Sequence, residues 1–263
     1  MRILITGAGR AIGAATANVL AAAGHEVVAT ARDAALLTDL DVSMRLELDV
    51  TDEASVDACL AEAGPLDVIV NNAAIQGKAP LEAFPLDHLR AMIETNVIGP
   101  VRMIQKVLPS WRERGTGVIV NISSIQGRVA TPLEGPYAAT KFALEALTES
   151  LHYEVGHFGI RLVLVEPGYT SPGMKGTGMD LAYPDAYQGL YDQWNGTDDK
   201  VTGAAGRPGP EVVGQAILGA IENPASPLRV RVGEDTEMVL GARSAMDDAS
   251  FEATMRAVLD LSW

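Results

Sequence analysis

Cysteine is almost missing from this chain of 263 residues: Cys59 stands alone, so no internal disulfide can form, and a reducing cytoplasm is the natural setting. Cys59 lies in the helical-looking stretch DEASVDACLAEAG and reads as a buried small hydrophobe. Aromatic residues make up only 5% of the sequence. Histidine is equally scarce: around His25, His88, His152 and His157 no cysteine or carboxylate spacing resembles a metal site, so no metal is expected. Positive charge is short as well, since 20 Lys+Arg against 34 Asp+Glu leave a net charge of -14. That field repels nucleic acid and anionic lipid, and neither is an expected partner. Long apolar runs are lacking too, with no segment of ~18 residues free of charges and helix breakers. The start of the chain has no basic region, apolar stretch and cleavage site in succession. A cytoplasmic protein without a membrane partner is expected.

What the sequence does have is 48% hydrophobic content arranged in a regular alternation. Short β-like runs (RILIT, EVVATA, MRLEL, LDVIVNN, GVIVNIS, IRLVLVEP, LRVRV) are separated by stretches of helical period. These are AATANVLAAAG, DAALLTDL, DEASVDACLAEAG, a long helix within 86–112, another within 136–157, and a third within 210–222. Continuous apolar strands between helices predict an α/β fold: a doubly wound parallel sheet of about seven strands in three α/β/α layers. One domain is expected over 1–263. Residues 168–209 break the rhythm with many glycines and the aromatics Tyr169, Tyr183, Tyr187, Tyr191 and Trp194, and a loop this long in a compact domain reads as a substrate lid. The tail 234–263 reads as one or two amphipathic helices.

The stretch TGAGRAIG, Thr6 to Gly13, follows the first apolar run and opens the first helix. A glycine-rich turn there sets backbone N–H groups and the positive helix end where a phosphate can sit, and the strand–turn–helix–strand context makes a dinucleotide site the leading idea. At the end of the second strand an acid would hold a free ribose 2'-hydroxyl, whereas arginine accommodates a 2'-phosphate. The sequence there is VVATARD, with Arg32, and Arg10 lies inside the loop. Two guanidiniums converging on one phosphate favour NADP(H).

Further on, NISSIQG and PYAATKFALEAL place Ser124 at a strand's carboxyl end and put Tyr137 and Lys141 four residues apart on one helix face. Asn96 stands amid Ile93, Val97 and Ile98 in the preceding long helix, where a buried asparagine needs partners and can bend or interrupt the helix. With LDVT, NNAA and VEPG in order beside these, residues 1 to about 232 resemble the short-chain dehydrogenase/reductase family, and the expected fold is its Rossmann type.

The resemblance implies Tyr137 as general acid/base and Lys141 as the residue that binds the nicotinamide ribose and lowers the tyrosine pKa. It implies Ser124 on the substrate carbonyl and Asn96 in support of a proton-relay water. Asp49 would read the adenine. The implied cofactor contacts are Gly7, Gly9, Arg10, Ala11, Ile12, Gly13, Arg32, Asp49, Val50, Asn72, Ala73, Ala74, Tyr137, Lys141, Pro167, Gly168 and Thr170. Tyr169, Tyr187, Tyr191 and Trp194 would contact substrate from the lid. Two departures stand out. Ala11 replaces the middle glycine of T-G-x-x-x-G-[I/L]-G, where the methyl should loosen the pyrophosphate contact and Gly9 would supply compensating freedom. Pro172 stands where a threonine is expected after Gly168, leaving Thr170 for the carboxamide.

The function so implied is hydride transfer between NADP(H) and a ketone, aldehyde or secondary alcohol, in a homodimer or homotetramer. The alternative is a non-catalytic NADP-binding, redox-sensing regulator of the same fold. Glu145 and Glu149 read as a polar or subunit-facing stripe.

Overall fold

The computed structural model describes residues 1–171, 184–195, 197, 200 and 206–263. Tyr183, Pro172 and the acidic pair Asp198-Asp199 lie outside the described residues. Seven strands, β1 (Arg2–Ile5), β2 (Glu26–Ala31), β3 (Met44–Glu47), β4 (Val68–Asn71), β5 (Gly117–Ile122), β6 (Ile160–Pro167) and β7 (Arg229–Val232), form one sheet in the order 3-2-1-4-5-6-7. Every pairing is parallel. This is the Rossmann-type doubly wound sheet that the alternation of runs implies.

The strands alternate their burial between two layers, because successive side chains point to opposite faces. Ile3, Ile5, Val27, Val68 and Val120 pack with Leu20 of α1 (Ala11–Ala22) and with Val213 and Ile217 of α7 (Glu211–Glu222). Leu4, Val28, Ile69 and Ile119 face the other way. There they meet Val56 and Cys59 of α2 (Glu53–Ala63) and Met103, Val107 and Trp111 of α4 (Gly99–Arg114). Cys59 is a buried core residue, and burial pushes its thiol up to about 11, so it stays an unreactive thiol.

Two helix expectations differ from the structure. DAALLTDL forms only a single 3-10 turn, Ala34–Leu37, capped by Asp33, whose carboxylate accepts from the Ala35 N–H at 2.9 Å. Two buried side chains, Leu37 and Leu40, are too little packing to stabilise a full helix there. The long helix within 86–112 is instead α3 (Leu86–Ile93) and α4, joined by a π-turn over Glu94–Ile98 with Asn96 at its centre. Beyond them, α5 (Gly135–Val155) lies against β6 and α6 spans Gln188–Asn195. The tail forms α8 (Glu234–Ala245) and α9 (Asp248–Leu259). Their Val239, Leu240 and Leu259 pack on Ile125, Val129, Leu133 and Trp194.

The strand order reverses on either side of β1, and the crevice outside the carboxyl ends at such a switch point is where open α/β sheets bind ligands. The α1 helix leaves that crevice through Gly13. A Cβ there would lie 2.3 Å from the Gly7 carbonyl oxygen and 2.6 Å from Asn72 Nδ2. Gly13→Ala is therefore expected to cost roughly 1–3 kcal/mol, read as a lower melting temperature, and to weaken nucleotide binding in a fluorescence titration.

Candidate active site

A cleft of about 660 Å³ runs along the carboxyl ends of the strands, from Arg10 and Arg32 at one end to Ser124, Tyr137 and Trp194 at the other. It is open and of the size that holds a cofactor with a small substrate. The glycine loop forms its floor. Thr6 Oγ1 accepts the backbone N–H groups of Asn72 and Ala73 at 3.0 and 2.9 Å, and Asn72 Nδ2 donates to the carbonyls of Thr6 and Gly7, both at 3.0 Å. Thr6 and Asn72 thus staple the loop to the end of β4. A Cβ on Gly7 would lie 2.9 Å from the Ala73 backbone, and one on Gly9 would lie 2.9 Å from Leu36 Cβ.

The first turn of α1 has neither a capping side chain nor an acidic residue, so its N–H groups and the positive helix end face the cleft uncompensated. These features fit a pyrophosphate. Ala11 adopts φ +46°, in the left-handed region, so the methyl that replaces the expected glycine sits on a strained backbone. Gly9 is not left-handed; it is close-packed on Leu36, so the compensating freedom expected of it is not its role.

At the same end Arg10 and Arg32 are exposed and line the cleft, while Asp33 is turned to cap the turn after β2 and does not line it. Asp49 lines the cleft with its Oδ1 accepting from the Thr51 N–H at 2.9 Å and hydroxyl at 2.7 Å. Ile12, Val50, Ala73, Ala74, Pro167, Gly168 and Thr170 also line it.

At the other end Tyr137 and Lys141 are one turn apart on α5, both almost fully buried. The Ser124 hydroxyl hydrogen-bonds to the phenol and accepts the Gln126 N–H at 3.1 Å. Lys141 Nζ donates to the Ile122 carbonyl at the end of β5, 2.7 Å away, and lies 5.6 Å from the Tyr137 ring centroid. Burial lowers this amine to about 8, with Glu145 opposing the fall. Burial also pushes the Tyr137 phenol well above its ordinary value, Glu134 pushes it further, and only Ser124 pulls it down. Burial and Glu134 oppose the lowering by Lys141 that the resemblance implies. The phenol is therefore held as an acid.

Asn96 is buried outside the cleft lining, and its carboxamide is fully engaged. Its Oδ1 accepts the Ile75 N–H at 2.9 Å, and its Nδ2 donates to the Ile75 carbonyl at 2.8 Å and to Thr140 Oγ1 at 3.1 Å. It braces the segment after β4 against α5. Of the aromatics, Tyr169 and Trp194 line the cleft. Tyr187 instead donates to Glu82 at 2.6 Å, and Tyr191 lies under Lys78 Nζ, 5.2 Å from its centroid.

Several residues of the site are invisible to motif reading. Asp235 of α8 accepts the Tyr169 N–H at 2.7 Å and fills the space where a Gly168 side chain would be. Glu145 is buried and paired to Arg229 at 2.9 Å, so it is no surface stripe; Glu149 pairs with the same guanidinium. Glu166 is fully buried, with Arg229, Arg128 and Arg231 at 3.6, 3.7 and 3.9 Å but no hydrogen-bond partner on either oxygen among the described residues. Burial, and then Glu145, raise its carboxyl to about 7. Among the described residues no group of acidic, histidine and cysteine side chains could hold a metal, and no helix is long and apolar enough to cross a membrane.

The short chain dehydrogenase family matches residues 1–180. The chain is 31% identical over 211 residues to an uncharacterized oxidoreductase of Schizosaccharomyces pombe, covering 79% of this chain and 87% of that protein. A short-chain dehydrogenase from Streptomyces avermitilis superposes with a TM-score of 0.83 at 33% identity, covering 100% of this chain and 98% of that one. A gluconate 5-dehydrogenase from Burkholderia cenocepacia in complex with NADP and tartrate superposes with a TM-score of 0.69 at 29% identity, covering 94% and 96%. The chain belongs to the short chain dehydrogenase family. It is accordingly an oxidoreductase that acts on CH–OH groups.

Glu166 makes a pH-dependent contribution to stability. Its folded pKa lies above the ordinary glutamate value, so the contribution is complete below about pH 4.5 and is lost as pH rises to about 7. Glu166→Gln is expected to melt several degrees above the natural protein at pH 8, for a difference of about 3 kcal/mol. The two melting curves should converge near pH 4.5.

Proposed function

We propose that the protein is an NADPH-dependent carbonyl reductase or alcohol dehydrogenase, transferring hydride between NADP(H) and a ketone, aldehyde or secondary alcohol. The observation that carries this reading is the burial of Tyr137 and Lys141, with Ser124 bonded to the phenol, at one end of a cleft whose other end is the glycine loop. NADPH, when bound, supplies the hydride. Gly7, Gly13 and the first turn of α1 receive its pyrophosphate, and Asp49 and Val50 border the adenine. Asn72, Ala73, Ala74, Pro167, Gly168 and Thr170 line the nicotinamide half.

Ser124 donates a hydrogen bond to the substrate carbonyl oxygen. Tyr137, kept neutral by burial, delivers its proton to that oxygen as negative charge develops there. Lys141 holds the nicotinamide ribose and keeps a positive charge near the phenol below about pH 8. Asn96 acts at one remove, fixing the distance between Ile75 and α5.

The preference for NADPH rests on Arg10 and Arg32 in the cleft, together with the diversion of Asp33 to a cap. Arg32 has no hydrogen bond or ion pair among the described residues, which suits a guanidinium waiting for an anion. The NADP in a similar solved structure agrees with this. Residues 168–209, of which 172–183, 196, 198–199 and 201–205 lie outside the described residues, are proposed as a lid over the substrate that begins where Asp235 meets Gly168 and Tyr169, within one domain that the tail 234–263 completes. Exposed Phe142 and Leu147 on α5 support a homodimer through that face, and the single buried thiol suits a cytoplasmic setting.

The test is coenzyme titration followed by a carbonyl screen. Arg32→Ala is expected to raise the NADPH KM by roughly 10- to 100-fold, the worth of a charge-assisted phosphate contact, with the NADH KM little changed. Equal loss with both coenzymes would overturn the NADPH assignment. Absence of NADPH oxidation with every ketone and aldehyde would overturn the activity.

A further inference from the structure

The substrate end of the cleft holds a carboxylate that neither the fold nor the hydride chemistry calls for. Glu134 is the residue before α5, three positions ahead of Tyr137, and it lines the cleft. Its side chain does not cap the helix it precedes. Instead, both of its hydrogen bonds fall on one oxygen: Oε2 accepts from Thr131 Oγ1 at 3.0 Å and from Gln126 Nε2. Oε1 accepts nothing among the described residues. Stapling of the 125–134 segment needs only one oxygen, so the second is left for something that enters the cleft.

Gln126 repeats the pattern. Its Nε2 is committed to Glu134, which fixes the amide's orientation, because a flipped amide would set oxygen against oxygen. Its Oε1 is then a buried acceptor without a partner among the described residues, and Gln126 also lines the cleft. An unpaired buried acceptor costs on the order of a lost hydrogen bond. Two spare acceptors, one of them a carboxylate oxygen, thus sit beside the phenol that protonates the substrate, with apolar Ile125 and Trp194 in the same wall.

Resting on the carbonyl-reductase reading above, we propose that Glu134 and Gln126 form a donor-recognition subsite. They would select carbonyl compounds that carry a hydrogen-bond donor close to the reacting carbon, best of all a protonated amine, on an otherwise apolar body. An anionic substituent is disfavoured there. The cations of this end are already engaged: Lys141 Nζ donates to the Ile122 carbonyl at 2.7 Å, Lys78 Nζ donates to Asn195 Oδ1 at 2.6 Å above the Tyr191 ring, and Arg207 stacks 5.0 Å from the Tyr169 centroid. The protein's net charge of -14 draws cations in the same sense.

Recognition of an ammonium would also serve the chemistry of the alcohol-oxidising direction. Glu134 opposes ionisation of Tyr137, and a cation placed on Glu134 cancels that opposition when the phenol must take up a proton. The substrate would thereby complete the electrostatics of its own site.

The experiment compares four ketones of one carbon skeleton whose substituent beside the carbonyl is an ammonium, a hydroxyl, a hydrogen or a carboxylate. For the natural protein, kcat/KM is expected to fall in that order, with the ammonium favoured over hydrogen by roughly 10- to 100-fold. In Glu134→Gln that ratio should shrink to a few-fold, and Glu134→Asp should restore part of it; melting curves establish that both variants are folded. A ratio near one in the natural protein, a preference for the carboxylate, or a ratio that Glu134→Gln leaves untouched overturns the subsite while the carbonyl reductase stands. Bound NADPH with no ketone reduced in any arm overturns both.

Discussion

A buried ammonium ion tied to the end of a central strand is the constraint on which the site depends. Lys141 reaches from α5 to the Ile122 carbonyl of β5, and removing its charge from water is costly unless partners remain close. The compensation is not local. Glu145, one turn further along α5, holds the amine's charge up; Glu145 is itself paired to Arg229 on the edge strand β7; and Arg229 approaches Glu166 on β6. Charge balance around Lys141 therefore extends outward through three elements. The registers β5–β6 and β6–β7 fix where each partner stands, so the sheet's edge is electrically part of the site.

Positions defined by local spacing were legible in the sequence. The glycine loop, the Tyr137–Lys141 turn and Ser124 at a strand end all depend on neighbours within a few residues, and the parallel sheet follows from apolar runs whose period is read directly. Asn96 was legible as a helix interruption, because an asparagine among Ile93, Val97 and Ile98 must find partners, and it finds Ile75 and Thr140 across the π-turn. What could not be read depends on partners distant in the chain. Asp235 meets Tyr169 across 66 positions, and Arg229 meets Glu145 across 84; neither pairing has a spacing to betray it. The stretch 33–40 misled for the opposite reason: its composition suits a helix, but only Leu37 and Leu40 reach the core.

The described aromatics of 168–209 divide on the same principle. An aromatic residue in a long loop announces burial but not a direction. Trp194 turns into the cluster formed with Val239, Leu240 and Leu259, whereas Tyr187 spends its hydroxyl on Glu82. The tail helices thus do more than cover the domain. They supply the apolar surface against which the substrate end is shaped, and Asp235, in the first turn of α8, fixes where the loop after β6 begins.

The glycine loop shows how little slack the coenzyme end has. Gly7 is hemmed by Ala73, Gly9 by Leu36 and Gly13 by the Gly7 carbonyl and Asn72, so the backbone path is dictated on both sides of Ala11. Ala11 must then follow that path into the left-handed region, at a cost of roughly 1–2 kcal/mol for an L-residue. A residue that merely tolerated the turn would relax toward ordinary dihedrals if its neighbours allowed it. That it does not relax means the loop's shape belongs to Thr6, Asn72 and three close-packed glycines, and the strained alanine is held there by them. The shape of the glycine loop is therefore set by packing rather than by the conformational freedom of the residue at its centre.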